Sequence, residues 1–187
     1  GYVKIMFLVN PAASSVTPRT RVVIQKALAA DHEVVLAETI RRDHATRLAK
    51  QAVEEKFDVG VVLGGDGTLN EAANGLIHSQ TALAVLPGGS TNVFARTLGL
   101  PDDPVEATGI LLETMDKANP KSVGLGCVNG RYFLFHAGMG FDAAVVAEVE
   151  KRGRLKRYAS HALFVYAAVD TWLSLILISE PTRPGAI

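Results

Sequence analysis

The sequence predicts an α/β protein: a doubly wound, parallel-sheet domain over residues 1–120, then the start of a β-rich domain. Two observations predict the first domain. Short, nearly continuous apolar runs recur along the chain, and the stretches between two of them space their apolar residues as one helical face. A third, the turn signal Asn129-Gly130 between two strand-like runs, predicts the change to antiparallel structure.

Taken in order, Val3–Val9, Val34–Ala37, Val59–Leu63 and Ala82–Leu86 read as strands. Apolar residues without alternation suit strands buried on both faces of a parallel sheet. In Asp43–Phe57, Ala45, Leu48, Ala49, Ala52 and Val53 keep the i, i+3, i+4, i+7, i+8 spacing of a helix. Leu69, Ala72, Ala73, Leu76 and Ile77 repeat it. Strand–helix alternation of this kind builds a doubly wound sheet. Past Asn119-Pro120 the texture changes: Ser122–Val128 and Tyr132–Ala137 read as a hairpin, and Tyr158–Leu173 as an Ala-rich helix packed on it. Too few strands follow to close a sandwich or barrel. Residues 121–173 therefore read as the incomplete start of a second domain. Residues 174–187 continue no pattern and read as a tail of unclear origin; Leu175–Ile178 is a candidate strand that Pro181 and Pro184 end.

The 187 residues are 48% hydrophobic and 20% charged, a globular balance. Nineteen basic residues offset nineteen acidic ones, so no net field draws the chain onto nucleic acid. The run Lys151-Arg152-Gly153-Arg154-Leu155-Lys156-Arg157 is either a solvated turn or a basic rim facing anionic headgroups. Cys127 is the single cysteine, so no internal disulfide forms, which suits a reducing compartment. No apolar run reaches the ~18 residues of a membrane-spanning helix, and no signal peptide opens the chain. The expectation is a soluble fragment.

Three loops carry the chemistry, each after a predicted strand: Asn10-Pro11-Ala12-Ala13-Ser14-Ser15, Gly64-Gly65-Asp66-Gly67-Thr68 and Pro87-Gly88-Gly89-Ser90-Thr91-Asn92. In a parallel sheet the carboxyl ends of the strands share one edge, where open α/β folds bind ligands, so the loops should converge. Glycines let the backbone approach a ligand closely, and N–H groups of such turns leading into a helix form an anion-binding concavity. Ser14, Thr68, Asn70, Ser90 and Asn92 can add hydrogen bonds. Taken singly, each loop could be an ordinary turn with a helix cap; three at one edge cannot be dismissed so easily.

Asp66 is the most informative residue. A carboxylate beside bare polyphosphate is repelled by it, but becomes sensible if Mg²⁺ neutralises the phosphates or if it accepts a proton from an attacking hydroxyl. Glu71 either supports that network or is an exposed acid favoured by the helix dipole. Neither a Walker loop nor a dinucleotide fingerprint occurs. The histidines His32, His44, His78, His136 and His161 lack metal-ligand spacing.

Gly64-Gly65-Asp66-Gly67-Thr68-Leu69-Asn70-Glu71 resembles the nucleotide signature of the diacylglycerol kinase catalytic domain family, which includes bacterial lipid kinases and sphingosine and ceramide kinases. Pro87-Gly88-Gly89-Ser90-Thr91-Asn92-Val93-Phe94-Ala95-Arg96 is similar to the second signature, Asn10-Pro11 to the opening Asn-Pro-x-x-Gly, and Ala137–Ala143 to the entry into the second domain. The resemblance implies a Rossmann-like first domain, related to that of NAD kinases, and a β-sandwich second domain. It further implies an ATP- and Mg²⁺-dependent kinase that phosphorylates the hydroxyl of diacylglycerol or a similar lipid. Nucleotide contacts would come from Asn10, Pro11, Ala12, Ala13, Ser14, Thr39, Gly65, Asp66, Gly67, Thr68, Leu69, Asn70, Glu71, Gly89, Ser90 and Asn92. Asp66 would be the acid at the transfer site, and Asp142 a contact to the acceptor hydroxyl. The partners implied are the lipid and a peripheral contact with the membrane from the cytoplasmic side; a homodimer is compatible, and nucleic acid is not expected.

The sequence departs from the family in three places. Ser14 stands where Gly is frequent, Val93 replaces the usual Asp, and a catalytic glutamate late in the second domain has no counterpart before Ile187. The expectation is weak ATP binding and poor turnover, which activity equal to that of a chain extended through the complete second domain would refute. Two rivals stay open: an NAD kinase, which shares Gly-Gly-Asp-Gly, and a catalytically inactive nucleotide-binding module.

Overall fold

The computed structural model describes residues 2–117, 121–124, 126–128, 131–133 and 173–177. Strands β1 (Lys4–Val9), β2 (Glu33–Glu38), β3 (Val59–Gly64) and β4 (Ala82–Pro87) alternate with helices α1 (Pro18–Ala29), α2 (His44–Glu54) and α3 (Asp66–Leu76). Then come α4 (Val93–Thr97), α5 (Pro104–Lys117), β5 (Lys121–Gly124), β6 (Gly126–Val128), β7 (Arg131–Phe133) and β8 (Leu173–Leu177).

The main sheet runs β2-β1-β3-β4-β8-β5. Its first four strands are mutually parallel, with Val9 opposite both Glu38 and Leu63, and Gly64 opposite Pro87. All four carboxyl ends therefore reach one edge. Because successive side chains of a strand point to opposite faces, the central strands supply two cores. Ile5, Phe7, Val9, Val61 and Leu63 pack with Ile24 and Leu28 of α1 and Ala107 and Leu111 of α5. Leu8, Val62, Leu83 and Val85 pack on the other face with Ala45 and Ala49 of α2, Leu69, Ala72 and Leu76 of α3, and Phe94 of α4. Helices on both faces are what doubly wound means. The runs read as β1, β3 and β4 are buried for that reason, whereas Val34–Ala37 in β2, at the edge of the sheet, is only partly buried and Val35 is exposed.

Helix α2 stops before Phe57, where the sequence pattern carries it, because Lys56 turns to a positive φ of 56°. The run Ser122–Val128, read as one strand, is two strands in two sheets: β5 joins the main sheet and β6 pairs antiparallel with β7. Gly124 and Gly126 flank the break, and glycine weakens a strand interior. The register Val128 opposite Arg131 fits the turn expected at Asn129-Gly130. Residues 173–177, at the junction with the predicted tail, lie in the main sheet between β4 and β5. The predicted helix Tyr158–Leu173 lies, but for its last residue, outside the described residues, as do the basic run 151–157, the Ala137–Ala143 motif and Asp142.

Helices α2 and α3 touch through Gly75. A Cβ there would stand 2.4 Å from the Thr46 carbonyl oxygen and 2.6 Å from the Ala49 Cβ. The Thr46 hydroxyl donates to the Glu71 carbonyl at 2.8 Å, fixing the same contact. Alanine at an ordinary helix position would gain about 1 kcal/mol, but overpacking costs about 1–3 kcal/mol. Gly75→Ala is expected to lower the midpoint of urea unfolding.

Candidate functional site

The loops that follow β1, β3 and β4 meet, each hydrogen-bonded to the other two. Loop one is tied to loop two by Asn10, whose side-chain Nδ2 donates to the Thr68 hydroxyl at 3.0 Å and whose main-chain N donates to the Leu63 carbonyl at 2.9 Å. Loop one meets loop three at Ser15, whose N–H donates to the Gly88 carbonyl at 2.9 Å and whose hydroxyl donates to the Gly89 carbonyl at 3.2 Å. Loops two and three are joined by the Gly88 N–H, 2.9 Å from the Gly64 carbonyl. Backbone runs against backbone here. A Cβ on Gly88 would lie 2.7 Å from the Gly64 N, and one on Gly89 2.7 Å from the Gly65 Cα. The glycines are required by the fit between loops as well as by any ligand.

Helix α3 opens on this floor. Gly65 precedes it and supplies no side-chain cap, so the leading N–H groups of the helix, which lack partners inside it, are not covered by a capping side chain. The first helical bond runs from the Leu69 N to the Gly65 carbonyl at 3.1 Å. Gly67 is exposed in this first turn, and a Cβ placed on it would meet nothing within 4 Å. Ala12, Ser14, Ser90 and Thr91 are exposed around the same opening.

Asp66 has a task that spacing did not reveal. Its two carboxylate oxygens accept hydrogen bonds from the Val93 and Phe94 N–H groups, both at 3.0 Å. Thr91 adds a longer hydroxyl contact at 3.4 Å. Asp66 thus caps α4, a helix of five residues, from the neighbouring loop. Helix N-termini favour an anion here because their N–H groups are unpaired within the helix. A carboxylate has about four acceptor positions, so capping does not exhaust it.

Asn92 turns loop three. It sits in the left-handed region with φ 45° and ψ 47°, which asparagine tolerates better than most residues. Its side-chain oxygen accepts from the Gly89 N–H at 2.8 Å, and its amide donates to the Gly89 carbonyl at 2.7 Å.

The expected nucleotide contacts therefore divide by position. Asn10, Pro11, Ala12, Ala13, Ser14, Gly65, Asp66, Gly67, Thr68, Gly89 and Ser90 lie in or beside the joined loops. Leu69 turns its side chain, 3% exposed, into the core, and its N–H donates to the Gly65 carbonyl. Asn92 is likewise buried, with its amide engaged inside loop three. Thr39 is buried at the end of β2, its N–H bonded to the Val9 carbonyl at 2.9 Å. Asn70 and Glu71 follow on α3, each half-buried. The sequence reading missed Ser15, Gly88 and Thr91 as individual site residues. The signal was adjacency to the motifs, but spacing does not show which atoms bridge loops.

Among the described residues, no group of three or more His, Cys, Asp and Glu side chains could hold a metal ion.

A central parallel sheet flanked by helices, with glycine-rich loops joined at its carboxyl edge, defines an open α/β domain, a class that binds ligands at that edge. Comparison with known proteins specifies it further. Residues 4–126 match the model of the diacylglycerol kinase catalytic domain. The chain is 38% identical over 120 residues to a diacylglycerol kinase of Bacillus subtilis (strain 168), covering 63% of this chain and 39% of that protein. It is 34% identical over 143 residues to a protein of Chromohalobacter salexigens described as a probable lipid kinase, YegS-like, covering 74% of this chain and 45% of that one. The crystal structure of a diacylglycerol kinase from Bacillus anthracis str. Sterne superposes with a TM-score of 0.63 at 32% identity, over 70% of this chain and 49% of that one. The chain belongs to the diacylglycerol kinase catalytic domain family. It spans less than half the length of each of these relatives.

Proposed function

We propose that this chain carries the ATP-binding part of a lipid kinase that moves the γ-phosphate of ATP to the hydroxyl of diacylglycerol or a similar lipid. The observation that supports this reading best is the single floor made by three loops, with the uncovered start of α3 and the Asp66 carboxylate beside it. Backbone N–H groups of loop two and the first turn of α3 would hold the phosphate chain. Hydroxyls of Ser14 and Ser90, both exposed at the opening, would bind its outer oxygens. Mg²⁺, bound through Asp66 and the phosphates, would neutralise charge that builds on the transferring group. In the transfer, the lipid oxygen forms a bond to the γ-phosphorus as the bond to the β-phosphate oxygen breaks, leaving ADP. The hydroxyl proton passes to a carboxylate, and Asp66 retains acceptor capacity for it. The membrane contact of such an enzyme is peripheral, on the cytoplasmic side; no helix among the described residues is long and apolar enough to cross a membrane.

Two measurements test the reading. Calorimetry of this chain with ATP and Mg²⁺ is expected to show saturable binding. A chain extended to the length of its relatives is expected to phosphorylate diacylglycerol in mixed micelles and to leave NAD unmodified. Transfer to NAD, or no nucleotide binding by a folded sample, would overturn it.

A further inference from the structure

The turn after β2 and the opening of α2 break several local rules at once. Residues 40–50 hold four cations, Arg41, Arg42, Arg47 and Lys50, against one acid, Asp43, in a chain whose total charge is zero. All five are exposed. Arg41 and Arg42 precede α2 and Arg47 follows its first turn, near the end of the helix whose dipole is positive, where cations are unfavourable; Lys50 lies one turn further along, and the first turn of α2 contains no acid. Asp43, at the capping position, makes no side-chain cap hydrogen bond. Ile40 is 78% exposed, the most exposed large hydrophobic residue on the described surface. Its N–H donates to the His44 Nδ1 at 3.1 Å, which ties the turn to α2. The nearby acid Glu38 is paired with Arg21, and Glu54 and Glu55 lie at the far end of α2. Beside the cations, Asp43, Thr46, Arg47, Lys50 and Asn74 line an open groove of about 410 Å³ between α2 and α3. The exposed cations and Ile40 do nothing for the folding of the helix, and natural proteins break such local rules at functional or strained sites.

We propose that this face, Ile40 to Lys50, docks the protein on the surface of an anionic bilayer; the turn that opens it follows β2 and so lies at the same edge of the sheet as the three loops, and α2 runs from that edge. The cations supply attraction to anionic headgroups, which falls away within a Debye length of the surface. Ile40 supplies an apolar contact at the acyl boundary, a feature that favours a bilayer over a nucleic acid. The Thr46–Glu71 bond and the close Gly75 contact hold α2 rigidly on α3, so the charges form a fixed patch. The proposal rests on the lipid-kinase reading for its purpose, since docking here would bring the loops to a lipid acceptor. Its test does not depend on that reading.

The test is sedimentation of the chain with phosphatidylcholine vesicles, with and without phosphatidylserine, at low and high salt. Salt-sensitive binding to the phosphatidylserine vesicles alone is expected. The double variant Arg47→Glu with Lys50→Glu is expected to weaken it by at least about 30-fold, from two lost cations. Ile40→Asp is expected to weaken it by about tenfold. Circular dichroism and Mg-ATP binding, unchanged in these surface variants, separate the docking face from the nucleotide site. Vesicle binding that the variants leave intact overturns the proposal, as does binding to an oligonucleotide but not to vesicles. Absence of kinase activity alongside normal vesicle binding would instead count against the function proposed above.

Discussion

Gly89→Val is expected to abolish measurable Mg-ATP binding and to destabilise the domain by about 1–3 kcal/mol or more. The Cβ alone would stand 2.7 Å from the Gly65 Cα and 3.2 Å from the Asn92 Oδ1. Carbon atoms settle at about 3.5–4.0 Å, so loops two and three would have to part by roughly 1 Å, and valine adds two methyl groups beyond that. The obstacle on one side is main chain, which cannot rotate away as a side chain does. Parting the loops strains the Gly88–Gly64 bond and both bonds from Ser15, so all three loops lose their common floor. Gly67→Ala is the matched control. Its Cβ meets nothing within 4 Å, and alanine is favoured over glycine in a helix by about 1 kcal/mol. That variant is expected to fold at least as stably. Any loss of ATP affinity in it measures how closely the nucleotide approaches the Gly67 backbone. Calorimetry beside thermal unfolding reads both variants.

Asp66→Ala is expected to cost about 2–4 kcal/mol: it removes both acceptors of the Val93 and Phe94 N–H groups, and hydrogen bonds to a charged group contribute about 1.5–3 kcal/mol each, a sum that water offsets in part at this half-buried position. Asp66→Asn retains one side-chain oxygen and turns an NH₂ toward the other N–H, so about half that loss is expected. The asparagine variant is the informative one for chemistry. If Asp66 takes the hydroxyl proton, turnover falls by about 10²–10⁴-fold while ATP affinity falls far less. Turnover that merely follows ATP affinity would leave Asp66 as the pin that holds loop three and nothing more.

What the sequence revealed and what it hid have a common physical cause. Val59–Leu63 and Ala82–Leu86 were legible as strands because burial on both faces leaves no polar position to blur the run. Helices α2 and α3 were legible because their apolar residues line one face of each. Helix α1 gave a weaker signal: it buries only Ile24 and Leu28 while Val22 and Val23 stay about two-fifths exposed, so its apolar residues do not mark a single face. Helix α4 was beyond local reading, since the group that caps its Val93 N–H is 27 residues away. Much the same holds for the site. The glycine motifs announced which loops would join, but a motif does not say whether Asn92 faces a ligand or closes its own turn. Leu69 kept its place in the signature while its side chain went to the core, because a helix must bury one face even where the other serves a ligand.

The floor of the site hangs from β1, β3 and β4, the strands clasped between the two cores. That has a kinetic consequence. Amides that bond loop to loop there, such as that of Gly88, are anchored to the part of the domain with the densest apolar cover on both sides. Such amides exchange with solvent deuterium only when the whole unit opens, whereas turns at the sheet margin exchange by small local excursions. The platform of joined loops and the folding core would then share one protection plateau. A ligand that binds the platform would slow exchange across the entire unit by the same factor, so its affinity could be read from a strand amide that it never touches.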